Sequence, residues 1–445
     1  MMDSQAAITI QETPPATMDP QGPDENLLRD IVAHIDQKMM QFRQQAHHPG
    51  TNFTICPFPD FLVGLDDRWI QSPKLAAFGP HHRGKADLRC FDEDHKWEFL
   101  SRFLSRTESL GRDRRFYAQR LMGLRESTKR CYSEKIVMPC DDAELVNMML
   151  LDGSFMVELF REYEEGKDFT WPWHVQTLIA DLLKLENQIP FFILEELFNC
   201  SNIGQHKSIQ TLPVLALRFL SQAFWNPSDM IFINLQIQQH PKHLLDLFRS
   251  SLLPKPITNL QEKKYHPLAH SIQSVKQLRS AGIILRQKTA KSILEIDFRK
   301  FQIPPLALQI PPVAIDDLTN TILVNCVALE QCLPDQSKHF TAYVCFMNCL
   351  MKQPEDVGFL QSVDIIKHVS ADEKCFLSML NSLGRNVSFS VRDCYLWKQF
   401  REINLYYNSW WASIRRNMFH YNNIMLYCSI LQIVVGVLSW FLSGK

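Results

Sequence analysis

Two adjacent histidines, His81-His82, and two carboxylates set among apolar residues, Asp152 and Glu186, are the side chains of this chain best suited to chemistry. Imidazole nitrogens bind zinc and its neighbours, so a histidine pair raises the question of a metal. Neighbouring side chains in a turn rarely close on one ion, and no Cys, His or Asp stands at ligand spacing nearby. No metal site is therefore expected there, nor at His47-His48 in a polar linker. Asp152 stands three residues after Met149 and three before Phe155, and Glu186 stands four after Leu182. Both thus fall on the apolar face of an expected helix. A buried carboxylate has to find a partner or take up a proton. The expectation is a structural polar network of Asp152, Glu186, Asn187 and Gln188, joined by an arginine from residues 102–130. The rival use of the same acids is a catalytic carboxylate cluster, which needs a pocket and a substrate as well.

Other chemistry finds little support. There is no G-x-G-x-x-G, Walker loop, G-x-S-x-G elbow or H-E-x-x-H. The acid pairs Asp66-Asp67, Asp141-Asp142 and Asp316-Asp317 read as loop or N-cap residues at helix starts. The 12 cysteines run from Cys56 to Cys428 without a C-x-x-C pair, which predicts buried free thiols in a reducing compartment. No catalytic residue and no cofactor site is expected. Lys plus Arg (47) nearly cancels Asp plus Glu (48), so the general basic excess of a nucleic-acid binder is missing.

The elements that would position these groups are mainly helical. Phe is frequent (29) and Gly scarce (15) in 445 residues, a mix that favours packed helices over a turn-rich β fold. Helical spacing begins near Asn26, where Leu28, Ile31, Val32, Ile35, Met39 and Phe42 make one apolar face. Residues 92–135 read as helical. Leu145 to Phe160 is apolar on nearly every side and predicts a buried helix. A further helix carries Val175, Leu178, Ile179 and Leu182 and is expected to end near Gln188, ahead of Pro190. The basic stretch 255–300 holds a strand at Leu294–Phe298, which Leu308–Ile310 is placed to pair with. Helices resume at 317–332, 338–352, 372–383 and 391–416.

Pro14, Pro15, Pro20 and Pro23 among polar residues predict a disordered tail over 1–25, with no secretory signal. From Asn417 to Gly444 there is no Asp, Glu, Lys or Arg, and Ile424–Leu442 supplies nineteen almost wholly apolar residues. At about 1.5 Å per residue such a helix spans roughly 28 Å, close to a bilayer core. Arg415 and Arg416 stand on its N-terminal flank, where positive charge stays cytosolic. The fold class expected is thus mainly α, a large helical body with a small β element and one C-terminal transmembrane helix. Its parts are a tail (1–25), a helical domain (26–416) and an anchor (417–445). That anchor implies membrane lipid as a partner, a single-pass membrane location and a cytosolic body.

Seven ordered motifs carry a family resemblance. They are Gly79-Pro80-His81-His82-Arg83-Gly84; Asp92-Glu93-Asp94-His95-Lys96 with Arg130-Cys131-Tyr132; Leu145 to Phe155; Asp181-Leu182-Leu183-Lys184-Leu185-Glu186-Asn187-Gln188-Ile189-Pro190-Phe191-Phe192; Leu278 to Gly282; Ile310-Pro311-Pro312 with Ile315-Asp316-Asp317; and Glu355-Asp356-Val357. Over roughly residues 53–442 the chain resembles the plant "domain of unknown function 247" family. The resemblance implies a mostly α-helical plant protein, usually ending in one membrane helix, with no established biochemical activity. Some grass members are implicated as pollen-side determinants of self-incompatibility, which implies recognition rather than chemistry. His81 and Arg83 replace the family's Tyr and second His, and Ser154 replaces its Cys, so any chemistry relatives carry there is not expected here. The function expected is that of a membrane-anchored, non-enzymatic interaction protein with a protein partner. A self-incompatibility determinant and an enzyme using the buried acids are the alternatives.

Overall fold

The computed structural model describes residues 23–46, 53–62, 71–88, 91–139, 141–167, 175–202, 210–223, 240–254, 271–299, 306–333, 337–369, 373–418, 429 and 431–435. They belong to two compact units, Met1–Asn52 and Phe53–Lys445. The first contributes one helix, α1 (Pro23–Ala46), on which Ile31, Val32, Ile35 and Met39 are about half exposed. The tail expected over 1–25 and the pair His47-His48 lie outside the described residues, apart from the three residues that open α1.

In the second unit one helix sets the arrangement of its neighbours. That helix is α4 (Asp142–Glu164), buried from Val146 to Glu162 except at Asn147. Its surface is apolar all round, so it needs neighbours on every side. These are α2 (Trp97–Thr107), α3 (Arg114–Cys131), α6 (Phe191–Ser201) and α7 (Leu212–Leu220). Phe78, Phe91 and Phe99 close on its Phe155, with ring centroids 5.6, 5.6 and 4.8 Å away. Between α4 and α6 lies the short α5 (Val175–Leu182). Beyond α7 come α8 (Leu244–Leu252) and α9 (Val275–Ser280), then the small β element. In it, β1 (Ile284–Gln287) runs parallel to β3 (Ala307–Ile310), and β2 (Asp297–Arg299) pairs antiparallel to β3, with Phe298 opposite Leu308. The strand expected at Leu294–Phe298 is shorter and lies later in the chain: Ile293 and Leu294 form a turn closed by the Glu295 N–H donating to the Ser292 carbonyl at 3.2 Å, and pairing starts at Asp297. A second sheet joins β4 (Val313–Ile315) in parallel to β5 (Ile366–Val369). The remaining helices are α10 (Asp317–Cys332), α11 (His339–Leu350), α12 (Pro354–Ser362), α13 (Glu373–Asn386) and α14 (Trp397–Tyr407). Residues 410–418 are also helical.

Helix starts follow the acid pairs. Asp141 accepts a hydrogen bond from the Ala143 N–H at 3.0 Å, and Asp316 accepts one from the Thr319 N–H at 2.8 Å, each satisfying a donor at a helix N-terminus that has no intrahelical partner. The pair Asp66-Asp67 lies outside the described residues.

The expected C-terminal membrane anchor is overturned. Among the described residues no helix is long and apolar enough to cross a membrane. Of Ile424–Leu442, the described residues are Ser429 and Leu431–Val435, helical and exposed, and the rest lies outside the described residues. Arg415 and Arg416 are bound into the fold instead of flanking a bilayer. The Arg415 guanidinium donates to the Tyr406 hydroxyl at 3.2 Å and lies against Gly282, whose φ is +84° and where a Cβ would collide with it. Arg416 donates to the Tyr407 carbonyl and sits over that ring. Lipid contact through a C-terminal helix, and the single-pass location built on it, fall with the anchor.

His243 opens α8 and is fully buried. Its Nδ1 accepts from the Asp246 N–H at 3.3 Å, which leaves Nε2–H to donate to the Thr54 carbonyl at 3.2 Å. This geometry suits only the neutral ring, and burial pushes its pKa down from 6.5 to about 4. The unfolded imidazole takes up its proton first, so the stabilisation is complete above pH 6.5 and is lost as pH falls through about 4. We predict that urea-unfolding free energies drop between pH 7 and pH 4, with on the order of 3 kcal/mol of the drop absent in His243→Asn, which retains a capping oxygen. An unchanged pH slope in that variant would contradict the assignment.

Candidate functional site

The segment Ser72–Gly79 belongs to no helix or strand, yet most of it is buried. Buried backbone N–H groups need acceptors, and a segment without a ladder must find them on side chains. The last turn of α5 and the turn that follows it supply most of them. Asp181 Oδ2 accepts from the N–H groups of Lys74, Leu75 and Ala76 at 3.1, 2.7 and 3.0 Å. Asn187 accepts from the Phe78 N–H at 2.7 Å and donates to the Ala76 carbonyl at 2.9 Å. Asp152, on α4, accepts from the Gly79 N–H at 2.9 Å. Gly79 has φ +69°, and a Cβ there would stand 2.5 Å from the Gln188 carbonyl oxygen, so glycine is required twice over.

Two lysines neutralise the two aspartates. Lys96 Nζ donates to Asp152 Oδ1 at 2.7 Å and to the Ala77 carbonyl, with both side chains 1% exposed. Lys184 Nζ donates to Asp181 Oδ1 at 2.9 Å, and burial pushes its own pKa down. The turn also holds itself. Gln188 Nε2 donates to the carbonyls of Leu182 and Lys184 at 2.7 and 2.8 Å, and its Oε1 accepts from the Leu245 N–H at 3.1 Å. The Tyr132 hydroxyl donates to the Gln188 carbonyl at 3.1 Å, and Asn325 on α10 accepts from the Leu185 N–H at 2.9 Å.

Asp152, Asn187 and Gln188 are therefore brought together as the sequence suggests. Glu186 differs in its surroundings. Helix α5 stops at Leu182, and Glu186 lies in the turn rather than on a helix face, because Gln188 and Asn187 draw the carbonyls of Asp181, Leu182 and Lys184 out of the helical ladder. Its Oε1 accepts from the Phe58 N–H at 2.8 Å. Its Oε2 faces both histidines, 3.3 Å from His81 Nε2 and 3.5 Å from His82 Nε2. Burial alone would push this carboxyl up, but the two imidazoles and the Phe58 N–H outweigh it and hold the pKa well below the ordinary carboxylate range. Burial pushes the His82 pKa down.

The cation on Asp152 is Lys96, not an arginine from 102–130. Arg106 pairs instead with the buried Glu158, its Nε 3.0 Å from Oε1, and Arg102 lies 3.4 Å from Glu162. Sequence reasoning gave no role to Lys96, Asp181 or Lys184, and their place inside the ordered motifs was the only signal for them. Another buried pair, Arg249 with Glu330 at 2.9 Å, ties α8 to α10, and Glu330 caps α11 by accepting from the N–H groups of Phe340 and Thr341 at 3.0 and 2.8 Å. A surface hollow of about 620 Å³ opens elsewhere, at Pro354, Leu377, Asn381 and Arg385, and none of these acids lines it.

The residues that build this network are the ones that carry the family motifs, and comparison with known proteins agrees. The model of the DUF247 family, described as a plant protein of unknown function, matches residues 55–439. The chain belongs to this family. It is 30% identical over 398 residues to UPF0481 protein At3g47200 of Arabidopsis thaliana, spanning 81% of this chain and 79% of that protein. It is 21% identical over 433 residues to Putative UPF0481 protein At3g02645 of the same plant, spanning 76% and 79%. No solved structure matches the chain.

Removing one member of the Lys96–Asp152 pair leaves the other charge buried without its partner. Lys96→Met should cost about 3–5 kcal/mol in urea unfolding. Adding Asp152→Asn removes the stranded charge while keeping an oxygen for the Gly79 N–H, and should recover at least half of that loss. A loss below about 1 kcal/mol for the first variant would contradict the pairing.

Proposed function

We propose that this protein works by binding other proteins and is not an enzyme. The observation that supports this reading is how its buried acids are used. Asp152, Asp181 and Glu186 each spend oxygens on backbone N–H groups, and both aspartates carry a lysine. An acid so engaged is committed to holding a shape, whereas a general acid or base needs an oxygen facing a substrate. The exterior supports the same reading. Trp410 and Trp411 are 67% and 65% exposed, stacked edge to face with centroids 4.8 Å apart, and Leu405 is 57% exposed. Exposed aromatic pairs cost free energy in water and are enriched where proteins meet.

Proximity labelling with the full chain in plant tissue tests this. We expect a reproducible set of labelled proteins, reduced about thirtyfold or more for the direct partner in Trp410→Ala/Trp411→Ala, as loss of a binding hot spot of about 2 kcal/mol implies. The double variant should melt at the wild-type temperature. Labelling that ignores the double variant would argue against this surface. A small-molecule turnover abolished by Asp152→Asn at unchanged stability would instead favour the enzyme.

A further inference from the structure

His81, His82 and Glu186 form one compact group, their ligand atoms all within 4.8 Å of one another. The sequence holds His81 and His82 105 and 104 residues from Glu186, and the fold closes that gap. Its geometry resembles half of a coordination shell. Four ligands about 2.0–2.1 Å from a tetrahedral zinc ion stand about 3.3–3.4 Å from each other. Glu186 Oε2 is 3.3 Å from His81 Nε2 and 3.5 Å from His82 Nε2, so two edges of such a tetrahedron are already set.

Three further features fit an ion. Glu186 Oε1 is held by the Phe58 N–H, which fixes the carboxylate and turns Oε2 alone toward the imidazoles, the outer-shell bond that ligating carboxylates usually have. His82 Nε2 is buried and makes no hydrogen bond, the 3.5 Å approach to Glu186 being too poorly aligned to count as one, and its side chain is only 2% exposed. A buried nitrogen aimed at a carboxylate without a hydrogen bond is an unsatisfied group, and such a group asks for an explanation. The His81 side chain is 29% exposed, which leaves a way in and room for a fourth ligand.

We propose that His81 Nε2, His82 Nε2 and Glu186 Oε2 bind one divalent transition-metal ion of the zinc class, with water in the fourth position. The ion clasps the Pro80–Gly84 turn to the turn after α5, and it is independent of the interaction reading above. One neighbour opposes it. Lys85 Nζ lies 2.7 Å from His82 Nδ1, and a lysine donating there places the ring proton on Nε2, the atom the ion needs. Lys85 is exposed and free to swing into solvent, whereupon the proton moves to Nδ1 and Nε2 opens to the metal. Lys85 and the ion thus compete for one imidazole.

Titration of the full-length, chelator-stripped chain with Zn²⁺, and with Co²⁺ followed by visible absorption, tests this. We expect one equivalent bound and a cobalt spectrum of the strong, four-coordinate type. His81→Ala, at a partly exposed position, should weaken binding at least about tenfold, since even an outer-shell partner is worth that much. Glu186→Gln should do the same, and Lys85→Met should bind severalfold tighter than wild type. Circular dichroism melts in chelator separate loss of ligand from loss of fold. No binding at micromolar metal by a folded wild-type chain would overturn the proposal. So would binding that His81→Ala and Glu186→Gln leave unchanged, which would place the ion elsewhere, for instance on cysteines.

Discussion

The buried backbone of Ser72–Gly79 has no ladder of its own, and the carboxylate of Asp181 is what makes its burial affordable. One oxygen receives three successive N–H groups, and the other receives Lys184. Asn187 and Asp152 take the next donors along the segment. Without these acceptors each stranded N–H would cost about 1–3 kcal/mol, a large share of the stability of any domain. The rest follows from that need. Helix α5 has to stop at Leu182 so that the turn can present Asn187 and Gln188, Asn325 on α10 supports the turn from behind, and Gly79 has to be a glycine for the two backbones to approach.

This arrangement bears on function through the use of charge. Lys96 and Lys184 balance the two aspartates inside the fold, so the interior is polar yet fully paired at these positions. Such networks fix one arrangement of helices where a wholly apolar interface would permit several. Glu186 is the exception. It lies at the edge of the network, with one oxygen committed to Phe58 and the other facing two imidazoles. The family to which the chain belongs is described only as plant proteins of unknown function, and this edge is where the network reaches solvent.

Much of the scaffold was legible in the sequence. The all-round apolar surface of residues 145–160 marks a buried helix, the acids at 141 and 316 mark helix starts, and the alternation around Phe298 marks a strand. Asp152, Asn187 and Gln188 were legible as polar residues in apolar surroundings. Their partners were not. Lys96 stands 56 residues from Asp152, and apart from its place in the motif Asp92–Lys96 nothing distinguishes it from a surface lysine. Glu186 was misplaced on a helix because Leu182 and Glu186 share a helical spacing, and only the side-chain amides of Asn187 and Gln188 reveal that the ladder has ended. The apolar run at the C-terminus read as a membrane helix by composition, whereas among the described residues no helix is long and apolar enough to cross a membrane.

Amide hydrogen exchange in the native full-length chain tests the central claim most directly. Ala76, Phe78 and Gly79 lie in no helix or strand, and their N–H groups would ordinarily exchange within the range of loops. If the carboxylates and Asn187 hold them as described, these amides exchange as slowly as those in the middle of α4, opening only with global unfolding. Exchange at the rate of exposed loop amides, with α4 still protected, would contradict the account.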